Sequence, residues 1–177
     1  MDESHLHWGD VCGYVWGPKQ ERITVTVVNE REQQTYYGAI NPLTDAVCYM
    51  EADTGNSTWT THFLEALRRA SKEQRIIVCW DGASYHRSKE IHAYLDDVNA
   101  GKERTEWPVT CLRFAPYAPT QNPIEDIWLR AKSHLREHCR RCGDTFSQVK
   151  SIFDEGMHKI DSFFDKLYMY TSHLQLV

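Results

Sequence analysis

An α/β fold, with a mixed β-sheet flanked by helices, is what this sequence predicts, and three observations predict it. β-Branched runs crowd the first third of the chain, at residues 22–29 ("RITVTVVN"), 34–40 ("QTYYGAI") and 46–52 ("AVCYMEA"). Two short apolar runs, 75–80 ("RIIVCW") and 109–114 ("VTCLRF"), stand further on, separated by a helical segment. Segments with helical spacing follow the strands, which implies a sheet with helices packed on its faces.

Each element has its local reason. Residues 41–45 ("NPLTD") have turn chemistry, so the runs on either side form a hairpin or meander. Residues 57–70 open with a Ser or Thr cap and place Phe63, Leu64, Leu67 and Ala70 on one stripe, which predicts a helix. The run 75–80 is continuously apolar, as expected of a strand buried on both faces, and it ends at Asp81. Residues 88–98 read as a second helix, and a polar connection then leads to the strand at 109–114. A long helix begins near Pro123, and residues 145–160 and 161–174 complete a helical C-terminal region. Tyr36, Tyr37, Phe63, Phe163, Phe164, Tyr168 and Tyr170 are expected to serve packing rather than base stacking.

A chain of 177 residues with six Trp suits one domain and one core, and residues 1–177 are read as a single domain. No run of eighteen apolar residues occurs, and the start "MDESHLHW" is acidic and polar, so neither membrane insertion nor secretion is expected. The six cysteines are scattered and are read as reduced, in a cytoplasmic protein. A net charge of −5 argues against a dedicated nucleic-acid binder. Between Arg130 and Arg141, however, five Lys or Arg face Glu137 alone, a local charge of +4. That segment is either a solvated helix face with cations near its C-terminus or a surface for phosphates.

The chemistry lies in the acids. In "IVCWDGASYH" an apolar strand delivers Asp81 to the kind of strand end where ligands of α/β sheets gather, with His86 five residues later. Asp81 either caps the following turn or holds a cation. In "FAPYAPTQNPIEDIW" the prolines fix the start of a helix, with Asn122 as N-cap, Pro123 in the first helical position and Glu125 in the third. Glu125 either bonds back to Asn122 or looks along the sheet toward a strand end, since Ile124, Ile127, Trp128, Ala131 and Leu135 pin the helix to the core. Two carboxylates can hold hard divalent cations through oxygen, and a third completes a two-ion site. Asp2 and Glu3, ahead of a plausible strand, are the acids available for that place.

The segments "DGASYHRS" (81–88) and "LRFAPYAPTQNPIEDIWLRAKSHLR" (112–136) resemble the second and third signatures of the DDE transposases of the mariner superfamily, in its bacterial insertion-sequence branch. The start "MDES" with "VWGPKQ" (15–20) is similar to the first signature. The resemblance spans nearly the whole chain, and "NPIE" is its most specific part. It implies a ribonuclease H-like fold, with Asp2, Asp81 and Glu125 as catalytic acids and ligands of Mg²⁺, for which Mn²⁺ substitutes. It also implies cleavage of double-stranded DNA at transposon ends and strand transfer into TA targets. The active complex would be a homodimer, in a bacterial cytoplasm and on the nucleoid when bound to DNA. Lys19, His86, Arg130, Lys132 and Arg136 are then the candidate DNA contacts, with His86 alternatively bracing its loop. The gap of 43 residues between Asp81 and Glu125 is longer than in animal relatives, and "YAPTQ" stands where Tyr-Ser-Pro-Asp-Leu is commoner. The helix-turn-helix domains of the family are not in this sequence, and its first strand is expected to be cut short, leaving Asp2 frayed. An inactive fragment that only binds DNA or a transposase is therefore the alternative function.

His134, His138, Cys139 and Cys142 offer zinc-ligand chemistry in nine residues, with His5 and His7 as outlying donors, but no second Cys-x-x-Cys pair supports a structural zinc. Neither a phosphate loop ending in Lys-Ser or Lys-Thr nor a Gly-x-Ser-x-Gly elbow occurs, which removes P-loop and serine hydrolase chemistry.

Overall fold

A computed structural model describes residues 1–12, 17–20, 31–72, 74–115, 122–142 and 145–159. In chain order its elements are β1 (Asp2–His7), β2 (Gln33–Asn41), β3 (Ala46–Ala52), α1 (Ser57–Ala70), β4 (Ile76–Trp80), α2 (Lys89–Asn99), β5 (Val109–Arg113), α3 (Ile124–Glu137) and α4 (Phe146–Lys159). The strand expected at 22–29 and the helix expected at 161–174 lie outside the described residues, as do Phe163, Phe164, Tyr168 and Tyr170.

The antiparallel sheet has the order β1-β2-β3. Its register places Asp2 opposite Gly38 and Tyr37 opposite Met50. Asn41 closes the hairpin between β2 and β3: its side chain accepts from Leu43 N at 3.0 Å, and Asp45 takes the left-handed conformation (φ 57°) that Asp tolerates in turns. β4 and β5 form a separate parallel pair, with Ile76 beside Val109 and Trp80 beside Arg113. The single mixed sheet expected from the sequence is thus described as two sheets. They meet at their ends, where the Met1 amino group donates to Cys79 O at 2.8 Å. That contact joins the residue before β1 to the penultimate residue of β4, so the overlap is too short for a ladder.

Helices cover both faces of the antiparallel sheet because successive side chains on a strand point to opposite sides. Tyr36 faces a core of Leu6, Ile124, Ile127, Trp128, Ile152 and Phe153, which joins β1 and β2 to α3 and α4. Its neighbour Tyr37 faces a second core of Phe63, Leu64, Val78, Trp80 and Ile91, which joins the strands to α1 and α2. Both tyrosines are fully buried, and each hydroxyl fastens a helix. Tyr36 donates to Asp154 Oδ1 of α4 at 2.8 Å, and Tyr37 to Asn56 O ahead of α1 at 3.0 Å. Asn56, rather than the expected Ser or Thr, caps α1 by accepting from Trp59 N at 2.9 Å, because the helix starts at Ser57 and the cap precedes it.

The β4–β5 pair departs from expectation on one side. Val78 and Trp80 are buried, whereas Ile77 is 66% exposed and Leu112, on the same face, 46% exposed. The described residues cover one face of this pair, not both. No helix among the described residues is long and apolar enough to cross a membrane.

Candidate active site

Asp2 lies within β1 and is paired, not frayed: Leu6 on the same face of the strand is fully buried, and Asp2 is bracketed by the Met1 bond to β4 and by its pairing with Gly38. The cross-strand position decides what sits above it. A Cβ on Gly38 would overlap the Trp128 indole and come within 3.3 Å of Ile124, so only glycine lets α3 approach the sheet here. Glu125 lies one turn before Trp128 on α3, so seating the indole over Gly38 brings Glu125 toward Asp2.

The start of α3 differs in detail from the expected cap. Pro123 stands at the N-cap position with helical angles (φ −65°, ψ −18°), and no side chain caps the helix. Asn122 contributes its backbone oxygen, which accepts from Glu125 N at 3.1 Å, while its side chain turns inward with Oδ1 buried and without a partner. Glu125 is exposed, at the positive end of the helix, where an acid is favoured.

The Asp2 carboxyl is pushed up to about 7, first by burial and then by the negative charges of Glu3, Glu125 and Asp81, with the terminal amine opposing. Two acids distant in the chain, Asp81 and Glu125, therefore act on this carboxyl beside its neighbour Glu3. Asp81 follows β4 with its side chain 52% exposed. Its Oδ1 accepts from Ala83 N at 2.9 Å, so the turn-capping alternative holds for one oxygen. Among the described residues no three His, Cys, Asp or Glu side chains already form a metal cage. Like charges hold carboxylates apart until a cation offsets them. The donor chemistry fits a hard divalent cation: carboxylate oxygens only, with more negative charge than the local amine balances.

His86 is enclosed rather than presented to a DNA backbone, with its side chain 2% exposed. Its Nε2 lies 3.4 Å from Glu3 Oε1 and its Nδ1 3.1 Å from Asp81 Oδ1. The ring stacks on Trp80, with centroids 4.4 Å apart and planes within 6°. Of the two roles considered for His86, the geometry supports the brace.

Lys132 is also engaged, donating to His5 O at 2.8 Å and pairing with Asp10 at 3.2 Å, so it ties α3 to the turn after β1 instead of standing ready for phosphate. Arg130 and Lys19 are exposed and Arg136 is half-buried. In the Cys/His segment, His138 Nδ1 bonds His134 O at 2.9 Å and the two rings lie 4.1 Å apart, which spends those groups on each other. His5 Nδ1 bonds Thr35 Oγ1 at 3.0 Å.

Sequence reasoning named Glu3 only as an acid available for metal binding, and missed Tyr85 and Arg113. Glu3 is nearly enclosed and accepts from Tyr85 OH at 2.9 Å. Arg113, at the end of β5, lays its guanidinium over Gly82, where a Cβ would overlap it. The Gly next to a strand-end Asp was the available signal for that close approach.

Comparison with known proteins gives the family and the fold. A family model described as "DDE superfamily endonuclease" matches residues 1–148. Among solved structures, the Mos1 mariner paired-end complex with Mn aligns over 98% of this chain and 50% of its own, at 20% identity and a TM-score of 0.58. The Mos1 paired-end complex with left transposon end aligns at 20% identity and 0.57 over 97% of this chain and 50% of its own. The catalytic domain of Mos1 mariner transposase aligns at 19% identity and 0.54, over 80% of this chain and 68% of its own. At such identities these likenesses speak for the fold, which is ribonuclease H-like. This chain spans about half the length of the first two of these transposase chains. A comparison with curated proteins finds no match. Because the family match covers most of the sequence, and Asp81 and the Asn-Pro-Ile-Glu turn fall inside it, the chain belongs to the DDE superfamily endonucleases.

Proposed function

We propose that this chain is the catalytic domain of a transposase that cleaves double-stranded DNA at transposon ends and joins the freed end to a target, with Asp2, Asp81 and Glu125 as the acids of the site. The observation that carries the reading is the placement of β1: Asp2 pairs with Gly38 beneath Trp128, one turn from Glu125, while Met1 bonds Cys79 two residues before Asp81, and the raised Asp2 carboxyl accords with that convergence.

Asp2, Asp81 and Glu125 would hold the divalent cations, Mg²⁺ with Mn²⁺ as substitute; the Mos1 complex with Mn supports that choice of metal. Such cations lower the pKa of a bound water and offset charge on the phosphate. The chain's own part is to place the acids and to move a proton. Asp2 holds its proton up to about pH 7 and would have to give it up to serve as a ligand. Pro123 and Trp128 fix the helix that carries Glu125, and the bond to Ala83 N fixes one Asp81 oxygen. In the first step a water oxygen bonds to phosphorus and the P–O3′ bond breaks, leaving a 3′-hydroxyl and a 5′-phosphate. In the second, that hydroxyl attacks a target phosphodiester, expected at TA, and the displaced oxygen takes a proton.

Lys19, Arg130 and Arg136 are the proposed phosphate contacts. Pairing of two ends, as the Mos1 paired-end complexes describe for that protein, supports a homodimer as the working assembly. The test is nicking of supercoiled plasmid by the full chain in Mg²⁺ or Mn²⁺. We expect metal-dependent nicks that Asp81→Ala and Glu125→Ala each abolish. Metal-independent nicks, or nicks surviving both substitutions, would refute the assignment, and DNA binding without nicking would favour the inactive-fragment alternative.

A further inference from the structure

We propose that Glu3 and His86 are positioning residues for Asp81, forming a buried linkage that fixes the distance between the acid of β1 and the acid after β4; the inference rests on the function proposed above. Asp2 and Glu3 are adjacent on one strand and so point to opposite faces. Asp2 takes the face that looks toward α3, and Glu3 takes the face that looks toward the 3-10 turn Ser84–Arg87.

Glu3 does not behave as a surface acid. Its side chain is 6% exposed, and burying a carboxylate demands donors. It has two, Tyr85 OH at 2.9 Å on Oε2 and His86 Nε2 at 3.4 Å on Oε1. The second ring nitrogen, Nδ1, is buried and 3.1 Å from Asp81 Oδ1, yet its alignment falls short of a hydrogen bond and it has no other partner. The same oxygen accepts from Ala83 N at 2.9 Å, so the turn and the ring both bear on Asp81 Oδ1. The ring cannot swing to compensate, because Trp80 lies flat against it and Tyr85 meets its edge at 4.8 Å.

The linkage thus runs from a rigid strand through a clamped ring to a half-exposed carboxylate. It sets the side-chain angle of Asp81 relative to β1, and so relative to Asp2, without touching substrate. Partners that orient a ligating carboxylate in this way typically change metal affinity or activity by roughly 10- to 100-fold when removed.

The experiment compares the full chain with Glu3→Gln, His86→Phe and Asp81→Asn by Mn²⁺ titration followed by electron paramagnetic resonance, with thermal midpoints and with kcat and KM for plasmid nicking. His86→Phe keeps the stack on Trp80 and removes both nitrogens; Glu3→Gln keeps shape and an acceptor for Tyr85, and decides the matter should His86→Phe not fold. We expect both variants to weaken Mn²⁺ binding and lower kcat by roughly 10- to 100-fold, with KM for DNA and the midpoint of Glu3→Gln near those of wild type. Loss of thermal stability with Mn²⁺ affinity and kcat unchanged would overturn the positioning role. The two levels of inference separate cleanly: if Asp81→Asn loses Mn²⁺ while Glu3→Gln and His86→Phe retain it, only the positioning role fails. If Asp81→Asn binds Mn²⁺ as wild type does, the acid site itself fails and the linkage with it.

Discussion

Asp2 carries the electrostatic cost of the site, and its protonation records that cost. Its carboxyl rises from an ordinary 3.8 to about 7 in the folded chain, so between those values the folded state binds more protons than the unfolded one. Stability from this group is fully present below about pH 4 and is lost as pH rises through about 7. Asp2→Asn should therefore become progressively more stable than wild type as pH climbs through that window, in chelator and by urea denaturation, with little difference at its acid end. A flat difference would mean that Asp2 is neither buried nor crowded by other acids as described. Adding Mn²⁺ should reverse the ranking at neutral pH, because a ligand that binds only the folded state stabilises it. At this scale the sequence singles out Asp81 and Glu125 as candidates, since Asp81 ends an apolar run and Glu125 follows a proline turn. It does not show Glu3 as a buried acceptor or Lys132 as an intramolecular tie, because both depend on which strand face meets which loop.

Placement of the acids belongs to the elements. α3 reads in the sequence as a helix with one apolar stripe, and Ile124, Ile127, Trp128, Ala131 and Leu135 are indeed all buried. Nothing in that stripe says where Trp128 lands, and the missing half of the information is Gly38, an unremarkable glycine inside a β-branched run until the register sets it beneath the indole. Gly38→Val should push α3 off the sheet, lowering stability by about 1–3 kcal/mol as overpacking does, and should weaken Mn²⁺ binding along with it. Full retention of Mn²⁺ affinity in a folded Gly38→Val would show that Glu125 does not depend on this seat. α4 is held differently. Tyr36 donates to Asp154, whose carboxyl is raised by burial, and Tyr36→Phe should cost about 1.5–3 kcal/mol in urea denaturation because it strips a donor from a half-buried carboxylate. The one-residue shift at the starts of α1 and α3 has a common cause: the sequence marks several residues able to cap, and packing chooses among them.

Across the whole molecule, two cores clamp the antiparallel sheet, and β4 shares the second of them through Val78 and Trp80 as well as meeting the residue before β1 end to end. The α/β class and the order of β2 to α4 were legible from periodicity with turn and cap signals, while the strand expected at 22–29 and the helix at 161–174 lie outside the described residues. The split into two sheets was not legible, because strand order depends on which ends meet, nor was the side of β4 and β5 that the described residues leave uncovered, because a continuous apolar run gives no hint of which face lacks a neighbour. On the proposed function, a chain of net charge −5 is expected to hold DNA weakly and through few phosphates. Its affinity should fall with salt, and Lys19→Gln and Arg136→Gln should each reduce the slope of log K against log salt by about 1. An unchanged slope would move the DNA path to another surface.

The convergence of Asp2, Asp81 and Glu125 is most directly tested by anomalous diffraction at the manganese edge from crystals of the full chain soaked in Mn²⁺. The account predicts a peak among the three carboxylates, within coordination reach of oxygens from β1, the end of β4 and the first turn of α3. A Mn²⁺ peak held by other residues, with Asp81 turned away from Glu125, would contradict it.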